Sequence, residues 1–222
     1  MKAGVVGIVD GTFNVVDSFT DTVSQDGHDL ERCLTIDRVF SLPGGDMAFA
    51  GRAAATTLRD RSTTTIENGA IHVTEEAHPE THHTEFVGVA GEFVAVGSGE
   101  GTFAFDLIAE DTGTDVERAT LNLDAFFASH ESATPWKAGF HGTGEDGVNG
   151  IFHGKNLRTD LDLEDVLRDS TLNQVGLSYR YNGNDVKMTA SKSGYVEVYR
   201  PNGYDSANYL EYLRDEIVQH VS

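Results

Sequence analysis

The stretch that most constrains the fold is Asn173–Val221, where strand alternation, turn chemistry and helical periodicity agree. Val175, Leu177, Tyr179 and Tyr181 fall on every second position, the period of a strand with one buried face. Asn182-Gly183 follows, a pair that tolerates the two positive φ angles of a type I′ hairpin turn. Val186, Met188 and Ala190 alternate on the return strand, and Ser193-Gly194 breaks the run. From Tyr195 to Tyr199, Val196 and Val198 share one face, while Tyr195, Glu197 and Tyr199 share the other. Pro201 and Gly203 end the strands, and Asp205 or Ser206 can cap a helix with Leu210, Leu213, Ile217 and Val221 on one stripe. A C-terminal βββα module is therefore expected.

Upstream, Ala3–Val9, Gly11–Phe19 and Leu34–Leu42 read as strands, the first two forming a hairpin that turns near Asp10-Gly11. Pro43-Gly44-Gly45 is a break. The alanine run predicts a helix over Arg52–Arg59, because alanine is the best helix former. Ala70–Thr74 reads as a strand, and the polar stretch Glu75–Thr84 as a loop. Glu85–Ala90 and Glu92–Gly97 are expected strands joined at Gly91, and Thr102–Asp111 a helix ended by Gly113. Val116–Leu123 returns as a strand and Asp124–His130 as a short helix. Pro135–His141 and Val148–His153 form a hairpin around Gly142–Gly147, and Leu163–Arg168 is a further short helix.

Strands outnumber helices and do not alternate with them one for one. The expected class is α+β, mostly antiparallel β-sheets with interspersed short helices. The composition break at 75–84 suggests a β-rich part over 1–74 and an α+β part over 85–222, or one continuous domain.

Charge narrows the habitat. Thirty-six acidic residues stand against 16 basic ones, a formal net of -20, and only 5 of the basic residues are lysines. The carboxylates are scattered in short clusters, unlike the runs of a nucleic-acid mimic. At molar salt the Debye length falls to ~3 Å, which screens the self-repulsion of so acidic a surface. A halophilic, cytoplasmic protein is the expectation. Net charge then says little about the partner. Cys33, the single cysteine, allows no intramolecular disulfide. No apolar run approaches the length of a transmembrane helix, so no membrane partner is expected.

Candidate chemistry is sparse. His72, His78, His82 and His83 are interleaved with Glu75, Glu76 and Glu80, and imidazole with carboxylate suits Zn, Ni or Fe. His78, His82 and His83 are the candidate metal ligands, although no HExxH spacing is present and no cofactor is implied. His141 and His153 end neighbouring strands without lying opposite one another. Gly97–Thr102 lacks the spacing of a phosphate loop, and Glu100 would repel an anion. No GxSxG elbow occurs, and no catalytic residue is singled out.

The C-terminal strands offer a surface instead. Tyr179, Arg180, Tyr181, Lys187, Lys192, Tyr195, Tyr199 and Arg200 gather four of the 7 tyrosines and four of the 16 basic residues. Aromatics interleaved with cations on a sheet are what stacking nucleic-acid surfaces use. The expected function is a non-enzymatic macromolecular binding or accessory protein of an extreme halophile, with protein or nucleic acid as partner, in a DNA-handling assembly. A metal-dependent hydrolase using His72–His83 and an oligomer-forming structural protein are the alternatives.

Overall fold

In the computed structural model, residues 1–11, 17–142, 149–159 and 170–222 are described. Positions 143–147 of the turn expected over 142–147, the helix expected over 163–168, and positions 12–16 of the second expected strand lie outside them.

One 12-stranded sheet organises the chain. Its strands are β1 (Ala3–Asp10), β2 (Phe19–Gln25), β3 (His28–Ser41), β4 (Met47–Glu67), β5 (Ala70–Val89) and β6 (Phe93–Val96), then β7 (Asp115–Arg118), β8 (Thr134–Gly142), β9 (Asn149–His153), β10 (Ser170–Tyr181), β11 (Asn184–Ser191) and β12 (Tyr195–Arg200). The order across the sheet is β2-β3-β4-β5-β6-β1-β12-β11-β10-β8-β9, and β7 pairs with β1. Every pairing among the described strands is antiparallel. The described α-helices are short: α1 (Phe103–Thr112), α2 (Leu123–Ser129) and α3 (Ser206–Tyr212), the last continuing as a π turn over Leu213–Ile217 and a 3-10 turn over Val218–His220. The mostly antiparallel β architecture with a few short helices is thus as expected. None of the described helices is long and apolar enough to cross a membrane.

β1 shows why the core divides in two. It pairs with β6 along one edge and with β12 and β7 along the other. Val5 and Val9 join a cluster with Ala104, Phe105, Leu107 and Ile108 of α1. Val6 points the other way, into a cluster with Tyr209, Leu210, Leu213 and Ile217 of the C-terminal helical segment. A strand covered on both faces needs no polar face, so Val5–Val9 reads as a nearly continuous apolar run. The two faces of the sheet are accordingly the α1 face and the α3 face.

Two expectations fail around the chain's longest hairpin. Arg52–Arg59 is strand within β4, not helix, and Glu75–Thr84 is strand within β5, not loop. Ala53 and Ala55 are buried and Ala54 lies between them on the opposite side, so the alanines serve a two-sided sheet rather than a helical face. Tertiary packing overrides their intrinsic preference. The polar 70–83 segment pairs residue for residue with β4 up to the Asn68-Gly69 turn, where φ is positive at both positions.

The C-terminal strands are set by the same rules. Asn182 and Gly183 both have positive φ and join β10 to β11. Val175, Leu177, Val186, Met188, Ala190, Val196 and Val198 are all buried on the α3 face. α3 begins at Asp205, whose side chain accepts from the Asn208 backbone while Asn208 bonds back to the Asp205 N–H, a reciprocal cap. Tyr209, wholly buried, donates its hydroxyl to Val196 O at 2.8 Å and ties the helix to β12.

Candidate functional site

Covering one face of β10–β12 with α3 leaves the other face of these strands outward. Tyr195 borders the α1 cluster. Beyond it, the described helical contacts to β10 and β8, from α2 and from Leu157, fall in the α3-face cluster. The expected surface residues divide between the two faces by strand parity.

Tyr179 and Tyr181 go inward. The Tyr179 hydroxyl lies 2.8 Å from that of Tyr212 and donates to Glu216 Oε2 at 3.3 Å, and Tyr181 donates to Asp215 Oδ2 at 2.6 Å. Burial, followed by the nearby carboxylates, raises both phenols far above their ordinary range. These two tyrosines anchor the C-terminal helical segment. They do not belong to an outer surface.

Tyr195, Tyr199, Lys187, Arg180 and Arg200 fall on the open face. Arg200 pairs with Lys187 across β12 and β11, and Ser178 pairs with Lys187 across β10 and β11. The centre of this face is Trp136, which sequence reasoning did not single out. Its ring lies on Gly176, where an added Cβ would come within 2.7 Å of a ring carbon, so only glycine admits the indole there. The indole N–H donates to Leu177 O at 3.3 Å. Lys187 Nζ stands 4.3 Å from the ring centroid, a cation–π contact, and Tyr199 meets the ring edge-on at 5.8 Å. His153 lies 6.3 Å away, with Lys137 opposite it on β8. Tyr199 remains 38% exposed.

The acids of this face are engaged. Glu197 accepts from the Tyr195 hydroxyl at 3.1 Å, and Asp185 lies 3.7 Å from Arg180 Nε. Burial, then Glu197, pushes the Tyr195 phenol up to about 12. Four cations (Lys137, Arg180, Lys187 and Arg200) therefore share with two carboxylates the open face of a chain whose net charge is -20. Lys192 is exposed in the β11–β12 turn, at the far end from Trp136. The one signal for the indole was its uniqueness. Trp136 is the chain's single tryptophan, but the register shift where β8 meets β10 at Gly176–Leu177 hides its side from alternation.

Neither a protein-family model nor a curated protein matches the chain. Its chemistry has to be read from the side chains.

The histidines of β5 do not converge. His78 and His82 lie on one face of the strand, ~13 Å apart at ~3.3 Å per residue. His83 pairs with Ala54 on the other face. His78 Nε2 is 3.8 Å from Glu76 and His82 Nε2 is 3.6 Å from Glu80, each with the carboxylate two residues before it. His72 lies further out on the same face as His78. Among the described residues no group of three or more His, Cys, Asp or Glu is arranged to hold a metal ion.

A second polar cluster, also unanticipated, joins α2 to the C-terminus. His130 Nε2 is 2.8 Å from Glu216 Oε2, and its Nδ1 is 2.8 Å from Phe126 O. Ser129 Oγ is 3.0 Å from His130 Nδ1 and 3.4 Å from His220 Nε2. The set resembles a serine–histidine–carboxylate relay on paper. Yet both ring nitrogens of His130 face acceptors, the Phe126 carbonyl and the Glu216 carboxylate, an arrangement that favours the protonated ring. Ser129 donates to the same Phe126 carbonyl at 2.8 Å, so its proton is directed at the backbone. The cluster is a clasp rather than a base.

Proposed function

We propose that this chain is a non-enzymatic binding protein of an extreme halophile's cytoplasm, and that β10–β12 with α3 form a βββα module whose open face is its contact surface. The partner is single-stranded nucleic acid in a DNA-handling assembly. The observation that carries this reading is the Trp136–Lys187–Tyr199 group on a sheet face that no described helix covers. Aromatic rings accept bases of any sequence, because every base has a π-face, and a cation beside the ring meets the phosphate that follows. Lys187 occupies the indole at rest. A base that stacks there displaces the ammonium toward the backbone of the strand.

The acidic total does not oppose this reading. In molar salt the distant carboxylates are screened beyond ~3 Å, and the partner meets only the local charge of the face it touches. Stacking and direct contact then carry the affinity.

Fluorescence anisotropy with a labelled oligothymidylate in molar KCl tests the proposal. Tyr199→Ala is expected to weaken binding by ~1–3 kcal/mol, the worth of one stacked base. Lys187→Ala should lower the salt slope of the affinity by about one, as for loss of one phosphate contact. Tyr179→Phe should leave affinity unchanged, since its hydroxyl is spent on Tyr212 and Glu216. Equal binding by wild type and Tyr199→Ala, or none by wild type, would end this assignment.

A further inference from the structure

The β4–β5 arm is the one large feature that the open face leaves without a role. β3 accompanies β4 only to Ala55, and β6 accompanies β5 only from Phe86. Thr56–Glu67 and Ala70–Thr81 therefore pair only with each other. At ~3.4 Å per residue these twelve pairs make a ribbon ~40 Å long. Two-stranded ribbons are marginal in water by themselves.

The ribbon gathers its apolar residues on one face, where Asp60, Ser62 and Glu75 interrupt them midway and the tip is apolar. Leu58 pairs with Pro79, Thr64 with Val73, and Ile66 with Ile71, all on one side. Toward the tip, Ile66 is 77%, Ile71 72% and Val73 61% exposed. Isoleucines this bare, paired on the end of a projecting arm, call for a cover. Along the shaft, between Thr56 and Thr81, two arginines stand against five carboxylates, so a polyanion is not that cover.

The register shows where the arm can reach. Val5 pairs with Val96 at the end of β6, and Ala3 with Glu197 near the end of β12. The arm thus leaves the sheet from the same end that carries Tyr199, Lys187 and the Asn182-Gly183 turn, and it points away from its own open face. It meets that face only on a molecule turned end to end. There its acidic shaft faces the local excess of cations, and its apolar tip faces Trp136 and Tyr199. A ribbon ~40 Å by ~10 Å covers ~400 Å² on each partner. Two reciprocal contacts then bury ~1,600 Å² in total, the size of a standard specific interface.

We infer that two copies of this chain pair end to end, each laying its β4–β5 arm across the other's open face. The inference rests on the reading of that face as the contact surface, and it adds a control. Arm and nucleic acid compete for one site, so the free protein is a closed dimer and the strand-bound protein a monomer. Because each copy carries a net charge of -20, the dimer should strengthen as salt screens their repulsion.

Sedimentation equilibrium of the full chain in molar KCl over graded concentrations, read together with Trp136 emission, tests it. Dilution should convert dimer to monomer with a red shift of the emission. Ile66→Ser with Ile71→Ser, at exposed positions outside the core, should weaken the dimer at least tenfold, and Lys187→Glu, away from the arm, should do the same. A chain that is monomeric throughout overturns the inference. So does a dimer that survives these variants, or one that depends on Ile66 and Ile71 but leaves Trp136 emission and Lys187→Glu without effect, which would mean that arm pairs with arm. If the dimer behaves as expected but the monomeric arm variant binds no oligonucleotide, the nucleic-acid assignment falls and the dimer stands.

Discussion

At the scale of single residues, His130 is the most constrained side chain outside the open face. Burial disfavours its charge. The Glu216 carboxylate and the Phe126 carbonyl outweigh that and raise its pKa above the usual imidazole value. Tyr179 of β10 stacks edge-on at 4.5 Å, Glu216 bonds the ring from the C-terminal segment, and Tyr212 and His220 bond the neighbouring Tyr179 and Ser129. His220 is shifted the other way, by its own burial and then by the charge on His130. The sign follows from linkage: a histidine whose folded pKa is raised contributes stability that is full below its unfolded value, ~6.5, and is lost as pH climbs through the folded value. His130 should therefore contribute a fall in melting temperature on going from mildly acidic to mildly alkaline buffer, which the lowered His220 opposes. In His130→Gln, which keeps a donor to Glu216 but cannot titrate, that fall should shrink. Parallel pH profiles from calorimetry that differ only by a constant offset would show that His130 does not titrate with folding.

At the scale of elements, legibility in the sequence tracks one-sided burial. β10, β11 and β12 alternate cleanly because α3 covers one face and leaves the other outward, so Val175 through Val198 mark their own boundaries. The outer arm has no covered face. Nothing forces its residues to alternate, and Glu75–Thr84 accordingly read as a loop. Alanines 53–55 misled for a related reason, since a small side chain suits a helix and a close-packed strand equally. The same logic assigns the arm a low local stability, because its hydrogen bonds are flanked by solvent on both sides. In the Ile66→Ser/Ile71→Ser monomer, amides of Thr56–Glu67 should exchange orders of magnitude faster than those of Ala48–Ala53, with which they share a strand. In wild type at concentrations that favour the dimer, that gap should narrow. Uniform protection along β4 in the monomer would show that the ribbon is stable alone.

At the scale of the whole molecule, the candidate site was half visible. The concentration of tyrosines and cations in 179–200 falls on β10–β12, but parity sends Tyr179 and Tyr181 under the helix and Tyr195 and Tyr199 outward. Alternation with Val175 and Leu177 already contained that division. Trp136 could not be placed, because the bulge where β8 meets β10 shifts its phase and the glycine beneath it is forty residues away in the chain. On the function proposed above, the face around this indole binds a strand of nucleic acid. A single tryptophan makes it directly measurable. Titrating the full chain with oligothymidylate in molar KCl while following Trp136 emission should give saturable quenching, as a base replaces Lys187 on the ring. Oligonucleotide that leaves the emission unchanged, at concentrations where wild type otherwise binds it, would contradict the claim and move the contact surface elsewhere.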